Sequence, residues 1–216
     1  MTDLIKLEVV DADAALREAA DAAGDTRMDF FKKAAVGGGA LVAGGVLMGG
    51  LPSIASAAKP SKKNDVAILK FALTLEYLEA EFYNQAVKNG ALTGDVLAAA
   101  KIVQAHENTH VKTLKGIVSV KKPKFDFGDT VTDQGKFLAT AQVLEDTGVK
   151  AYAGQAPNIF QRKVLIAATS ILTVEARHAA HFRTLNGANF APKAFDTAAS
   201  KKSILKAVDE TGFITG

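Results

Sequence analysis

Apolar residues recur at helical spacing in four long segments of the chain. The first runs from about Asn64 to Lys88, where Val66, Leu69, Leu73, Glu76, Tyr77, Ala80, Tyr83 and Asn84 fall on one broad stripe. Asn89-Gly90 ends it, because either residue can take the left-handed conformation at a helix end. The second begins after Thr93, which fits an N-cap with Asp95 in the first turn, and runs to about Val118. The third starts near Thr132 or Asp133 and ends before Pro157. The fourth begins around Pro157-Asn158 and continues to Asn186-Gly187.

The links between these segments predict how they stack. About four residues join the first pair and about three the second, so each pair is an antiparallel hairpin. Lys121 to Val131, with Pro123, Gly128 and Asp129, separates the hairpins. Such a link reaches about 36 Å when extended, close to the roughly 38 Å length of a 25-residue helix. It can return the chain to the starting end. The pattern therefore predicts an all-α four-helix bundle with one long crossover between helices 2 and 3. A plain up-down-up-down bundle, which needs only a short loop there, is the alternative.

Within the helices, charged residues break the apolar stripes at matched places. Glu76 is followed by Tyr83 and Glu145 by Tyr152, both at plus seven; Glu107 is followed by His110 and Glu175 by His178, both at plus three. The step from the lone Glu to the Glu-x-x-His is 31 residues in the first half and 30 in the second. Three residues along a helix is a turn of about −60° and seven is about −20°. A Glu and a His at plus three can thus grip one ion, and each Tyr shares a face with its Glu. Four carboxylates inside an apolar bundle are costly unless cations compensate them. Two divalent ions would cancel four carboxylates while both histidines stay neutral, and an oxygen-rich set suits iron or manganese.

The expected metal ligands are therefore Glu76, Glu107, His110, Glu145, Glu175 and His178, holding two Fe or two Mn ions per chain. Glu107 and Glu175 would bridge, Glu76 and Glu145 would be terminal, and His110 and His178 would each cap one ion. Glu79, about −60° from Glu76, is an extra ligand or a supporting group, and Glu81 points to solvent. His106 and His181 are surface or supporting residues. Tyr83 and Tyr152 are candidate catalytic residues that support the site by giving a hydroxyl to a nearby carboxylate; the alternative is a pair of core residues with buried hydroxyls. A lone Glu-x-x-His is commonly just a solvent-facing pair; the repeat, with its matched Glu and Tyr, argues against that.

Composition narrows the reading. The chain has 216 residues and no cysteine, which excludes disulfides, zinc-thiolate sites and iron–sulfur clusters. Residues 1–57 do not belong to the helical pattern. Arg27 to Lys33 is basic, Ala34 to Leu51 is uncharged with seven glycines in eighteen residues, and Ala55-Ser56-Ala57 suits cleavage after Ala57. This segment reads as an export signal, so the mature protein is expected to be periplasmic or otherwise exported, with the export machinery as a partner. Arg27, Phe30 and Lys32 match the twin-arginine consensus, while Met28 stands where the second arginine belongs, which leaves ordinary secretion open. Removing 1–57 takes away five Lys/Arg and eight Asp/Glu and leaves 21 basic against 15 acidic residues. With no aromatic residues interleaved, that excess suits a solvated surface and not nucleic acid. Residues 58–187 are the expected bundle, and 188–216 a tail with a short helix near Ser203 to Val208.

The pattern of Glu76 with Tyr83, Glu107-Asn108-Thr109-His110, Glu145 with Tyr152 and Glu175-Ala176-Arg177-His178 resembles the ferritin-like superfamily, including rubrerythrins, bacterioferritins and manganese catalases. The run from Phe71 to Tyr83 is similar to exported bacterial ferritin-like-domain proteins related to plant desiccation-associated proteins. The resemblance spans roughly Asn64 to Asn186. It implies a dinuclear site reacting with Fe(II), dioxygen or peroxide, as a ferroxidase, peroxidase or catalase-like oxidoreductase in oxidative or desiccation stress protection. Without cysteine the rubrerythrin electron route is missing, and all three methionines precede residue 49, so a haem-bridging Met is missing too. Two other functions fit the same pattern: a stress-protective bundle whose metal only braces it, and an iron-storage subunit of a homo-oligomer.

Overall fold

The computed structural model of the protein describes residues 59–215, so the expected export signal lies outside the described residues. The described residues are helical: α1 (Lys62–Asn89), α2 (Gly94–Lys115), α3 (Gln134–Gln155), α4 (Arg162–Leu185) and α5 (Lys201–Glu210). Side-chain caps fix several starts. Ser61 accepts from the Asn64 N–H, Asp133 from that of Lys136 and Ser200 from that of Ser203. Thr93 takes the N-cap conformation for α2, but its side chain makes no cap bond. Its hydroxyl and N–H both donate instead to the Gln134 side-chain oxygen.

The fourth helix starts later than its sequence suggests. Ala156–Asn158 is a single 3-10 turn, and α4 begins only at Arg162. The reason lies about 95 residues upstream. Asp65, fully buried on α1, accepts from the N–H groups of Phe160 and Gln161 and from the Gln161 side chain. It supplies the acceptor that the start of α4 lacks locally. Burial works to raise the Asp65 carboxyl pKa, but these donors outweigh it and hold the group below its usual value. Val66, placed on the α1 stripe by spacing, is 44% exposed.

Helices α1 and α3 run antiparallel. At one end the Asn64 side chain donates to the Asn158 carbonyl. At the other the Asn89 side chain donates to the Val131 carbonyl, within the short 3-10 helix Gly128–Val131. Because Leu114 at the end of α2 and Val118 just beyond it pack beside Leu69 and Leu73, near the start of α1, the link must travel the length of the bundle to Val131. The long crossover is therefore present, and the up-down-up-down alternative fails.

The tail straps the outside of α1 and α3. Ala199 donates its N–H to the Lys150 carbonyl, and any side chain at Gly154 would collide with the Ala199 backbone. Only glycine admits that approach. Beyond it, α5 buries Ile204 and Val208 against Phe71, Leu75 and Ala151, each worth about 1.5–3 kcal/mol of apolar burial. The chain end then returns to the crossover, where the Asp126 and Thr215 N–H groups donate to the Phe213 and Lys124 carbonyls.

Two apolar clusters fill the bundle. One gathers Leu78, Phe82, Tyr83, Phe137, Leu144 and Phe182; the other gathers Leu69, Leu73, Tyr77, Leu114, Tyr152 and Ile171. The glutamates of interest lie on the same helices between the residues of these two clusters.

Candidate metal centre

Each of the four bundle helices sends one fully buried glutamate inward. Glu76 on α1, Glu107 on α2, Glu145 on α3 and Glu175 on α4 all have 0% exposure. His110 and His178, one turn beyond the α2 and α4 glutamates, are buried beside them. Ligand atoms of Glu76, Glu107, His110 and Glu175 lie within 4.8 Å of one another, and so do those of Glu107, Glu145, Glu175 and His178. The two groups share Glu107 and Glu175. Each group could hold a metal ion, with two carboxylates in common.

The histidines face this cluster through Nδ1. His110 Nδ1 lies 3.1 Å from Glu107, 3.2 Å from Glu76 and 3.3 Å from Glu175. His178 Nδ1 lies 3.0 Å from Glu145 and 3.3 Å from Glu107. A single N–H cannot satisfy three carboxylates. Accordingly Glu76 Oε2, Glu107 Oε1 and both oxygens of Glu175 are buried with no hydrogen-bond donor. Among the described residues, the ion-paired lysines and arginines reach other acids, and none reaches these.

Among the protein groups of the cluster the charge is shared unevenly. Burial, and then the neighbouring carboxylates, push Glu79 and Glu175 well above the usual range. Burial likewise raises Glu76, against the attraction of the His110 ring beside it. Burial also works to raise Glu107, but the hydrogen bond from His110 and the nearby His178 ring overcome it and hold the group low. The histidines shift the other way: burial lowers them, yet their carboxylate partners win and raise His178 to about 9 and His110 to about 12. Protons on these groups offset the buried negative charge. Orphaned carboxylate oxygens, two inward imidazole nitrogens and no competing cation together fit divalent metal ions of the oxygen-preferring kind.

The tyrosines hold the frame in a way the helical offset does not reveal. Tyr83 of α1 donates to Glu145 of α3 at 2.5 Å, and Tyr152 of α3 donates to Glu76 of α1. The bonds are exchanged between the hairpins. Burial, then the charge of the accepting glutamate, raises both phenols far above their usual pKa, so both remain donors.

Two features break the two-fold likeness. Glu79, three residues after Glu76, is a fifth buried glutamate. Its counterpart after Glu145 is Gly148, where a Cβ would lie 3.2 Å from Glu79 Oε1 and 3.3 Å from Glu175 Oε2. The bare glycine makes room for both acids. His106, on the rim of α2, places Nδ1 2.9 Å from Nε2 of His178. His181 is exposed, and Glu81 is half-buried and paired with Lys122. Sequence reading overlooked Asp65 and Gly148, neither of which carries a local signal. A groove of about 430 Å³ outside the bundle, lined in part by Asp146, Lys150, Arg183 and Phe190, contains none of the clustered acids.

No curated protein matches the chain. The family model described as "Ferritin-like domain" matches residues 64–188, which span all four bundle helices and more than half of the sequence. The chain belongs to the ferritin-like domain family.

Proposed function

We propose that the buried cluster holds two iron or two manganese ions and that the loaded protein reacts with Fe(II), dioxygen or peroxide. The observation that carries this reading is the pair of overlapping ligand groups, with Glu107 and Glu175 common to both. Glu107 and Glu175 would bridge the ions, Glu76 and His110 would complete one position, and Glu145 and His178 the other. A bound metal pair would supply electrons, one from each ion, to dioxygen or peroxide. Tyr83 and Tyr152 hold Glu145 and Glu76 in orientation by donating to one oxygen of each, which leaves the other oxygen for metal. The apolar clusters on either side keep bulk water from the carboxylates. The N-terminal segment alone supports placing this chemistry in an exported compartment, as a protection against oxidative or desiccation stress.

Metal analysis after anaerobic loading with Fe(II) or Mn(II) tests the centre, and two ions per chain are expected. Fewer than about one would overturn it. Oxygen uptake during Fe(II) titration then tests reactivity, and vigorous oxygen release from peroxide would favour dismutation, which needs no outside electron donor.

The complete burial of all four glutamates favours a second reading, in which metal only braces the bundle. Under it the loaded protein is inert to dioxygen and peroxide, and replacing both histidines lowers the melting temperature without any redox consequence.

A further inference from the structure

The repeat that builds the cluster also predicts which neighbours should match, and one pair does not. Glu107 and His110 correspond to Glu175 and His178, so the residue before each glutamate corresponds as well: His106 on α2 and Val174 on α4. His106 reaches His178 with Nδ1 2.9 Å from Nε2, the two rings lying nearly parallel at 15°. Valine has no acceptor to offer in return. Among the described residues, His110 Nε2 makes no hydrogen bond to a protein group; its ring bonds only through Nδ1, to Glu107.

We propose that His106 makes the two metal positions unequal: the one capped by His178 binds tightly, and the one capped by His110 binds weakly and exchanges. This rests on the dinuclear reading above and adds an order of loading to it. The chemistry is that of tautomer choice. A neutral imidazole carries one proton and has one lone pair. With His106 Nδ1 accepting, the His178 proton stays on Nε2. The lone pair is then on Nδ1, which already faces Glu145 Oε2 at 3.0 Å and Glu107 Oε1 at 3.3 Å. His106 then keeps its own proton on Nε2, and the residue is exposed. The bond also fixes the ring plane and makes the ligand more basic. His110 has no such guide. Nothing outside the cluster holds its proton on Nε2, so part of every binding event goes to choosing the tautomer and setting the ring.

His106 is thus a positioning residue, acting on metal through His178. Loss of such an outer partner typically costs about 10- to 100-fold in metal affinity.

The test is a competition titration of chelator-stripped protein with Mn(II) under anaerobic conditions, run on wild type, H106V and H106N. Wild type is expected to bind two ions with affinities at least about tenfold apart. H106V copies the residue at the corresponding place and should weaken the tighter position by about 10- to 100-fold, leaving two similar ones. H106N presents an amide oxygen near the same place and should restore most of the difference. In Zn(II)-loaded protein the His178 Nε2–H proton should give a slowly exchanging NMR resonance that disappears in H106V. His106 sits on the rim, so H106V should keep its melting temperature, which separates loss of the bond from loss of the fold. Two equal affinities in wild type, an unchanged profile in H106V, or no recovery in H106N would overturn the inference while leaving the centre intact. Fewer than about one ion bound by wild type would overturn the centre itself, and the inference with it.

Discussion

Asp65 and Glu175 are both fully buried carboxylates in the same bundle, and they are provided for in opposite ways. Asp65 meets three N–H donors at the start of α4 and is held as an anion. Glu175 sits among four other buried glutamates, and neither of its oxygens has a hydrogen-bond donor. A folded chain readily satisfies a structural carboxylate with backbone donors, as Asp65 shows. Where five acids are gathered and left short of donors, stability of the metal-free chain has been given up for something that arrives later. Glu81 is a third case, half in solvent and paired with Lys122.

The largest test of this contrast is metal content. Glu107→Ala or Glu175→Ala removes a carboxylate common to both positions and should drop binding from two ions to fewer than one. Glu76→Ala or Glu145→Ala should leave about one. Equal losses from all four would contradict the shared roles.

Next comes pH. In the metal-free protein Glu76 is raised to about 8 from an ordinary 4.5, so folding takes up a proton that the unfolded chain has already released. Its stabilising proton is lost as pH rises toward 8. His178 is raised from 6.5 to about 9, so its contribution is complete below 6.5 and disappears as pH rises through 9. Both have the same sign. Each such proton changes stability by about 1.4 kcal/mol per pH unit within its window. Chelator-treated protein should therefore melt several degrees higher at pH 6 than at pH 8.5, and metal loading should abolish or reverse that trend. A metal-free protein that melts higher at pH 8.5 would refute this picture.

Asp65→Ala should cost about 2 kcal/mol, since it strands three donors at a helix start. In a domain of this size that is about 4–8 °C of melting temperature. Glu175→Gln in metal-free protein should cost nothing or raise the melting temperature. The smallest effect belongs to Lys122→Ala, which frees an exposed pair and should change stability by less than about 1 kcal/mol in denaturant titration.

The four helices, their hairpin pairing and the crossover were legible because each depends on local periodicity or on link length. The glutamates and histidines were legible as a set because the bundle repeats its own spacing. What could not be read depended on residues far apart in the chain. Pro157-Asn158 has the composition of a helix start, yet α4 begins at Arg162 because its acceptor comes from Asp65. Offsets along α1 showed that Tyr83 and Glu76 share a face, but no offset says that Tyr83 bonds to Glu145 instead. The short tail helix was visible in its apolar positions. Its berth was not, because that is set by the bare backbone at Gly154. The partner of His106 lies on a different hairpin, and only the fold brings the two rings together.

The exchanged tyrosines carry a consequence for how the molecule could be divided. Each hairpin donates to the other the hydroxyl that it does not give itself, and each supplies one Glu and one Glu-x-x-His. Those are the contacts that two copies of a single hairpin would make about a two-fold axis. In such a scheme the crossover is a tether that raises the effective concentration of one half near the other. Cleaved between Lys121 and Gly128, the two pieces should remain associated and co-purify.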